Sequence, residues 1–483
     1  MPADLGRTIK KAYGVAVLII LLLSSLMGIV WGALNFSHLQ RFYETDALIA
    51  LAKSLTSSGK TGILYPAFLL VIMTLFLDHS SYFFIPVYIL QLAIALVAWY
   101  VFAFNIKKAA KCISLASSDG IVPKKTSLER LTCALIACLA VFNPYALQCH
   151  LAVLEYSFAS SFLCLLVSFY IRFSAEWKKE SEGFEVNRAM IDISVISLFW
   201  LLLSLTRREF IIIGAIPPIA FSVRVIISFL KKGKSFLKKS VPHIALLISF
   251  VAIILLTDSL FYSGEKISVL DSAKRSLFYR TSPPTYFSAN ERIPEIFSEN
   301  VSDEAVFGVM NDYGWIREDF TAELAATLGS AQTTEVLYSY AKDALVNNKK
   351  GFLKELLFDL AGYMIPPLGT ENSLRGWTLS GYAVGNYDMM SGAYPVLTKY
   401  YLRLFDGLFI ICFITSLLYY LKSKEIKKYK EIFAMPIIIA IICSLYYTFQ
   451  GAGIWDHRKA LFTTCLFLTA FFALAQNGIK NDE

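Results

Sequence analysis

Apolar residues fall along this chain in long unbroken runs, separated by short polar or basic intervals. The main runs are 13–34, 62–77, 82–105, 131–149, 151–171, 190–206, 210–230, 241–262, 401–421, 432–450 and 459–476. A helix needs about 20 mostly apolar residues to cross a bilayer, and most of these runs reach that length. The run 62–77 is shorter and opens on Tyr65-Pro66, where the residue before proline resists the helical region. A different pattern precedes it. In 46–59 the residues Leu48, Leu51, Ala52 and Leu55 recur at i, i+3, i+4 and i+7, which predicts a short amphipathic helix. Residues 263–400 mix both charge signs with Pro283-Pro284, Pro366-Pro367 and Gly376, and show helical patterns at 320–345 and 350–361. They read as a large polar domain.

The basic clusters orient these runs. They comprise Lys107, Lys108, Lys111, Lys124, Lys125 and Arg130; then Arg172, Lys178 and Lys179; then Lys231, Lys232, Lys234, Lys238 and Lys239; and last Lys422, Lys424, Lys427, Lys428 and Lys430. Cytoplasmic loops collect Lys and Arg, so all four clusters belong on one side. They do so only if 62–77 does not cross. The expected fold is therefore an all-α polytopic transmembrane bundle of about ten spans plus juxtamembrane helices, both termini cytoplasmic. Residues 1–262 form an N-terminal membrane module with its first outer loop at 35–81. Residues 263–400 form one large outer domain, α-rich or mixed, and 401–483 the C-terminal membrane helices. The run 13–34 follows Arg7, Lys10 and Lys11 and exceeds the apolar core of a signal peptide, about 7–15 residues. It reads as an uncleaved anchor.

Composition agrees. The 483 residues are 56% hydrophobic and 17% charged, with a mean hydropathy of +0.56. Soluble domains carry charge on about a quarter of their residues. The formal charge of +8 belongs to clusters flanking apolar runs, so membrane orientation explains it and nucleic acid is not an expected partner. Of the eight cysteines most lie inside apolar runs and none forms Cys-x-x-Cys, which argues against a disulfide framework or thiolate zinc site.

Ionisable residues near membrane depth are the candidates for chemistry. Glu44 and Asp46 stand in RFYETDAL, where Asp46 either deprotonates or binds a hydroxyl acceptor or caps the following helix. Glu155, in HLAVLEYSF, heads the next span on the outer side. Arg207, Arg208 and Glu209, in LTRREF, form an outward turn against the positive-inside trend. Paired guanidinium forks there suit phosphate oxygens, although lipid headgroups or an internal pair with Glu209 would also occupy them. Asp456, His457, Arg458 and Lys459 precede the last span and admit the same readings. No HExxH-type spacing links His38, His79, His150 and His457, so no histidine metal site is expected.

Together these features resemble the GT-C superfamily of polytopic glycosyltransferases, which includes protein O-mannosyltransferases and lipid A aminoarabinose transferases. The resemblance lies in Asp46, the helix after it, Gly59 and Tyr65-Pro66-Ala67, then Asn143-Pro144 with Glu155, LTRREF, and DHRKALF near the last span. Ala67 departs from the family's second proline, and the first loop lacks an Asp-Glu dyad. The resemblance implies an inverting transfer from a polyprenyl-phosphate-linked sugar to a hydroxyl acceptor on a glycan, lipid or protein, at the outer face of a bacterial inner or plasma membrane. Asp46 would be the base, Glu155 a second acidic contact, and Arg207, Arg208 and Arg458 the donor-phosphate ligands. Glu44, Tyr65, His457 and Lys459 are secondary candidates. A divalent metal ion is used by some relatives; its ligands are not legible in this sequence. Two other classes share the gross pattern: an O-antigen polymerase or ligase, relying on arginines within 263–400, and a lipid-linked sugar transporter or flippase, needing charges at the bundle midplane. Asp192 and Asp258 lie near helix ends instead.

Overall fold

The structure is a computed structural model. It describes residues 21–30, 43–57, 61–76, 84–115, 127–142, 153–179, 186–207, 209–216, 324–347, 349–353 and 430–449, with scattered single positions elsewhere. These residues are overwhelmingly helical, and no β-strand occurs among them. The chain divides into two compact units, one of Met1–Gly264, Arg375–Ala440 and His457–Glu483, the other of Glu265–Leu374 and Ile441–Asp456.

In the first unit α1 spans Tyr43–Ser54, α2 Leu64–Phe76, α3 Phe84–Leu115, α4 Ser127–Val141, α5 Tyr156–Lys179, α6 Val186–Ser204 and α7 Glu209–Ile213. Helices α3, α4, α5 and α6 make a bundle in which α3 packs on α4 and α5, and α5 on α6; α3 and α5 run parallel, whereas α6 runs antiparallel to α5. Small residues let α3 and α5 approach closely: Ala95 and Ala98 face an α5 that carries Ser157, Ser160, Ser161, Cys164 and Ser168, all buried. Asn105 donates to the Ser168 hydroxyl at 3.3 Å, and the Cys164 thiol reaches the Ala98 carbonyl at 3.7 Å. The outward faces are apolar too, with Ile89, Leu90 and Val97 of α3 and Ile191 and Leu198 of α6 exposed. Two helices are long and apolar enough to cross a membrane, within Phe84–Ala110 and Tyr156–Ala175.

Helix α2 has only 13 residues and is about 20 Å long, against a hydrocarbon core of about 30 Å. It buries Tyr65, Pro66, Leu69, Ile72 and Met73 on one side and exposes Val71, Leu75 and Phe76 on the other. The buried side joins Leu48 and Ala52 of α1, Phe84, Val87 and Tyr88 of α3, and Leu147, Leu151, Val153 and Phe158 in one apolar cluster. Tyr65, Phe68 and Phe158 meet there at ring separations of 4.5–5.8 Å.

Several boundaries differ from the sequence expectation, each for a local reason. The amphipathic helix starts at Tyr43 and ends at Ser54, rather than spanning 46–59. It closes with Leu55 at φ 46°, whose N–H bonds the Ala52 carbonyl while the Thr56 N–H reaches Leu51, a six-to-one closure that satisfies the last carbonyls. Asp46 therefore lies inside the helix and does not cap it. The run 131–149 is not one continuous helix, because α4 stops at Val141, just before Asn143-Pro144. In compensation, α3 continues through Lys107, Lys108 and Lys111 to Leu115, ten residues past the apolar run. The runs 151–171, 190–206 and 432–450 correspond to α5, α6 and Lys430–Phe449. Of 13–34 the stretch Leu21–Val30 is helical. The run 459–476 and most of 210–230, 241–262 and 401–421 lie outside the described residues.

In the second unit α8 spans Ser330–Asn347 and buries Thr333, Thr334, Leu337 and Ala341. Gly329, at φ 80°, separates it from the helical residues 324–328, so the 320–345 pattern is two helical pieces. Lys274 pairs with Glu335 and lies 5.4 Å from the Tyr338 ring. Helix α9, Lys430–Phe449, belongs to the first unit through Ala440 and to the second from Ile441; it carries Pro436 and buries Met435, Ile439, Ala440 and Cys443.

Candidate functional site

Three stretches far apart in the chain meet where α5 begins and α6 ends. Glu155 immediately precedes α5, and its carbonyl accepts the first intrahelical bond, from Ala159 N–H at 3.0 Å. Its carboxylate thus sits at a helix N-terminus, whose unpaired N–H groups favour negative charge. Arg207 lies three residues beyond the end of α6, where the partial charge is negative and a cation is favoured. Because α5 and α6 are antiparallel, these two ends are neighbours. Arg207 Nη1 donates to Glu155 Oε1 at 2.6 Å, with both side chains almost wholly buried. The guanidinium carbon stands 4.3 Å from the centre of the Tyr156 ring, a cation–π contact made stronger by its dry surroundings.

The third stretch leads into α2. Thr61 forms an antiparallel bridge with Arg207, the Gly62 N–H donates to the Thr206 carbonyl at 2.9 Å, and the Leu64 N–H to the Leu205 carbonyl at 3.1 Å. Extended backbone here satisfies groups that the end of α6 would otherwise leave without partners. The Thr61 hydroxyl lies 3.4 Å from Glu155 Oε1. Below the turn, α7 folds back on α6. Trp200 Nε1 donates to the Ile211 carbonyl at 3.3 Å, and the indole lies where a Cβ on Gly214 would sit, 2.5 Å from Trp200 Cδ1 and 2.8 Å from the Phe210 carbonyl oxygen.

A buried polar chain runs beside this junction. The Tyr65 hydroxyl donates to Gln91 Oε1 at 2.5 Å, and Gln91 Nε2 donates to the His150 carbonyl at 3.0 Å. His150 Nδ1 pairs with the Ser157 hydroxyl at 2.9 Å. Burial lowers the His150 pKa to about 3, so the ring is neutral at ordinary pH. The Tyr65 phenol is also within electrostatic reach of Glu155 and the Leu154 amide.

The candidates from the sequence thus separate. Glu155 and Arg207 form an ion pair, and Tyr65 belongs to the adjoining network. Asp46 is exposed on α1, whose Leu48 and Ala52 share the cluster with Tyr65, Leu151 and Val153. Glu44 lies in the first turn of α1. Arg208, His457, Arg458 and Lys459 are outside the described residues. Gln91, Thr61 and Tyr156 were not among the candidates. A lone amide inside an apolar run, as in IPVYILQLAIAL, is the signal that marks Gln91. Among the described residues no three His, Cys, Asp or Glu side chains gather where they could hold a metal ion.

No family model, curated protein or solved structure matches this chain, so the site is read from its own geometry.

Proposed function

We propose that this chain is a multi-pass membrane glycosyltransferase, with about ten crossings and both termini cytoplasmic, acting on a polyprenyl-phosphate-linked sugar at the outer face of a bacterial inner or plasma membrane. One observation carries the reading: the first outer loop, the segment before α5 and the LTRREF turn converge on the Glu155–Arg207 pair. Those three stretches also carry the resemblance to the GT-C superfamily. The short α2, apolar on its exposed side and too short to cross, supports a place in the outer interface or a re-entrant one for the run 62–77.

In the proposed reaction the acceptor hydroxyl attacks the anomeric carbon. The bond from that carbon to the phosphate oxygen breaks, the configuration inverts, and polyprenyl phosphate leaves. Asp46, accessible on α1, takes the hydroxyl proton. Arg207 is buried between Glu155 and Tyr156 and neutralised by Glu155, so in this scheme it holds the turn, while Arg208 and Arg458 contact the phosphate. Glu155 serves by keeping Arg207 in place. The acceptor is a glycan, lipid or protein hydroxyl, and the polar 263–400 region selects it.

The test is transfer by the purified protein, in vesicles, from polyprenyl-phosphate sugars to envelope-derived acceptors, followed by mass spectrometry. Asp46→Asn should lower turnover by about 100-fold or more, the usual contribution of a positioned base. Full activity in that variant removes the base assignment. Movement of the lipid-linked sugar across the vesicle with no covalent product points to a transporter instead.

A further inference from the structure

Arg207 is held from two sides, and the two holds share one side chain that neither contains. On one side is the extended strap Thr61–Leu64, bonded through Gly62 and Leu64 to Thr206 and Leu205. On the other is Glu155, at the end of the segment that starts with His150. Gln91 lies between them, wholly buried on α3. Its carbonyl oxygen accepts from Tyr65, the residue that follows the strap, and its amide nitrogen donates to the His150 carbonyl, which begins the other segment. The two bonds use opposite ends of one amide, so they fix its orientation and cannot both survive a flip.

We propose that Gln91 is a positioning residue: one amide grips the start of α2 and the 150–155 segment together, and so fixes Arg207 between the strap and Glu155. The inference rests on the transferase reading for its effect on turnover, but the mechanical link does not. Helices α3 and α5 are packed by small and apolar residues along their length, so the bundle has other means of holding together. What Gln91 adds is registry at one end. A buried amide that joins two segments loses its function when either partner goes, which makes Tyr65 its measurable counterpart.

The experiment compares Gln91→Leu and Tyr65→Phe with the parent protein in detergent, by hydrogen exchange and by turnover per mole of folded protein. In both variants the Gly62 and Leu64 amides should exchange at least about 10-fold faster, while those within α6 keep their protection. Turnover should fall by about 100-fold, the cost of a misplacement near 1 Å, with the Michaelis constant for the donor nearly unchanged. Unchanged exchange at Gly62 and Leu64 overturns the proposal, and so does uniform acceleration throughout the protein, because it marks Gln91 as ordinary core. Tyr65→Phe removes a single oxygen, and so provides the same readout if Gln91→Leu fails to fold. A parent protein with no transferase activity defeats the functional reading alone, and the exchange pattern still decides the positioning role.

Discussion

Helices α5 and α6 are joined at both ends by an arginine and a carboxylate, and the two joints are built differently. At one end Arg207 meets Glu155 at 2.6 Å with side chains 6% and 2% exposed; at the other Arg172 meets Asp192 at 3.6 Å with 19% and 7%. The pairs are about 25 Å apart along α5. In both, the acid lies toward a helix N-terminus and the base toward a C-terminus, as antiparallel dipoles favour. Glu155 and Arg207 flank the helix ends, where that effect is concentrated. Arg172 and Asp192 stand about two turns inside α5 and α6, where it has faded. Arg207 also has the Tyr156 ring at 4.3 Å, while Arg172 has Phe169 only at 5.9 Å. The first joint is short and dry, the second longer and open to water on its arginine side.

The largest test of that contrast removes one partner at each end. Arg207→Ala leaves Glu155 buried without its counter-ion and should cost about 3–5 kcal/mol in chemical unfolding in detergent. Arg172→Ala should cost less, about 1–3 kcal/mol, because Asp192 is also buried but its arginine stands farther off and is 19% exposed. Equal losses would abolish the distinction. Next, Gly214→Ala places a methyl against the Trp200 indole and the Phe210 carbonyl, and should cost about 1–3 kcal/mol as overpacking. Because Trp200 supports the LTRREF turn, that loss should be accompanied by faster exchange at Gly62 and Leu64, with no change around Arg172.

The smallest effect is a pH dependence. His150 has a folded pKa of about 3, below the ordinary 6.5, so the unfolded chain binds more protons between those values. Stability is therefore unaffected by this group above about pH 6.5 and falls as pH drops toward 3, with a slope of at most about 1.4 kcal/mol per pH unit. Thermal unfolding at pH 7.5 and 5.5 measures it, and His150→Gln should flatten the profile. A flat profile in the parent protein would show that the joint next to Ser157 admits a charged ring.

Much of this arrangement could be read before the structure, and the limits follow from range. Runs of apolar residues mark α3, α5, α6 and α9 because helix formation is decided within a few turns of chain. Asn143-Pro144 stops α4 by the same local logic, yet hydropathy carried the run to residue 149, since it does not register backbone strain. Asp46 was open to two readings, and the start of α1 at Tyr43 removes the cap. Glu155 and Arg207 were each legible as ionisable residues beside membrane helices. Their union was not, because 52 residues separate them and only the antiparallel return of α6 along α5 brings them together. Thr61 and Gly62 gave no signal, since a backbone bond to Thr206 leaves no mark on side-chain identity.

The strap also imposes an order in time on assembly. Thr61 and Arg207 are separated by nearly 150 residues, so at about 5–20 residues per second the ribosome needs roughly 7–30 s to supply the partner. During that interval α3 through α6 must be made and set in place, while the 61–64 backbone has no complement of its own. The nascent chain therefore completes this junction retroactively, and a translational pause after residue 115 would lengthen the vulnerable period without altering a single final contact.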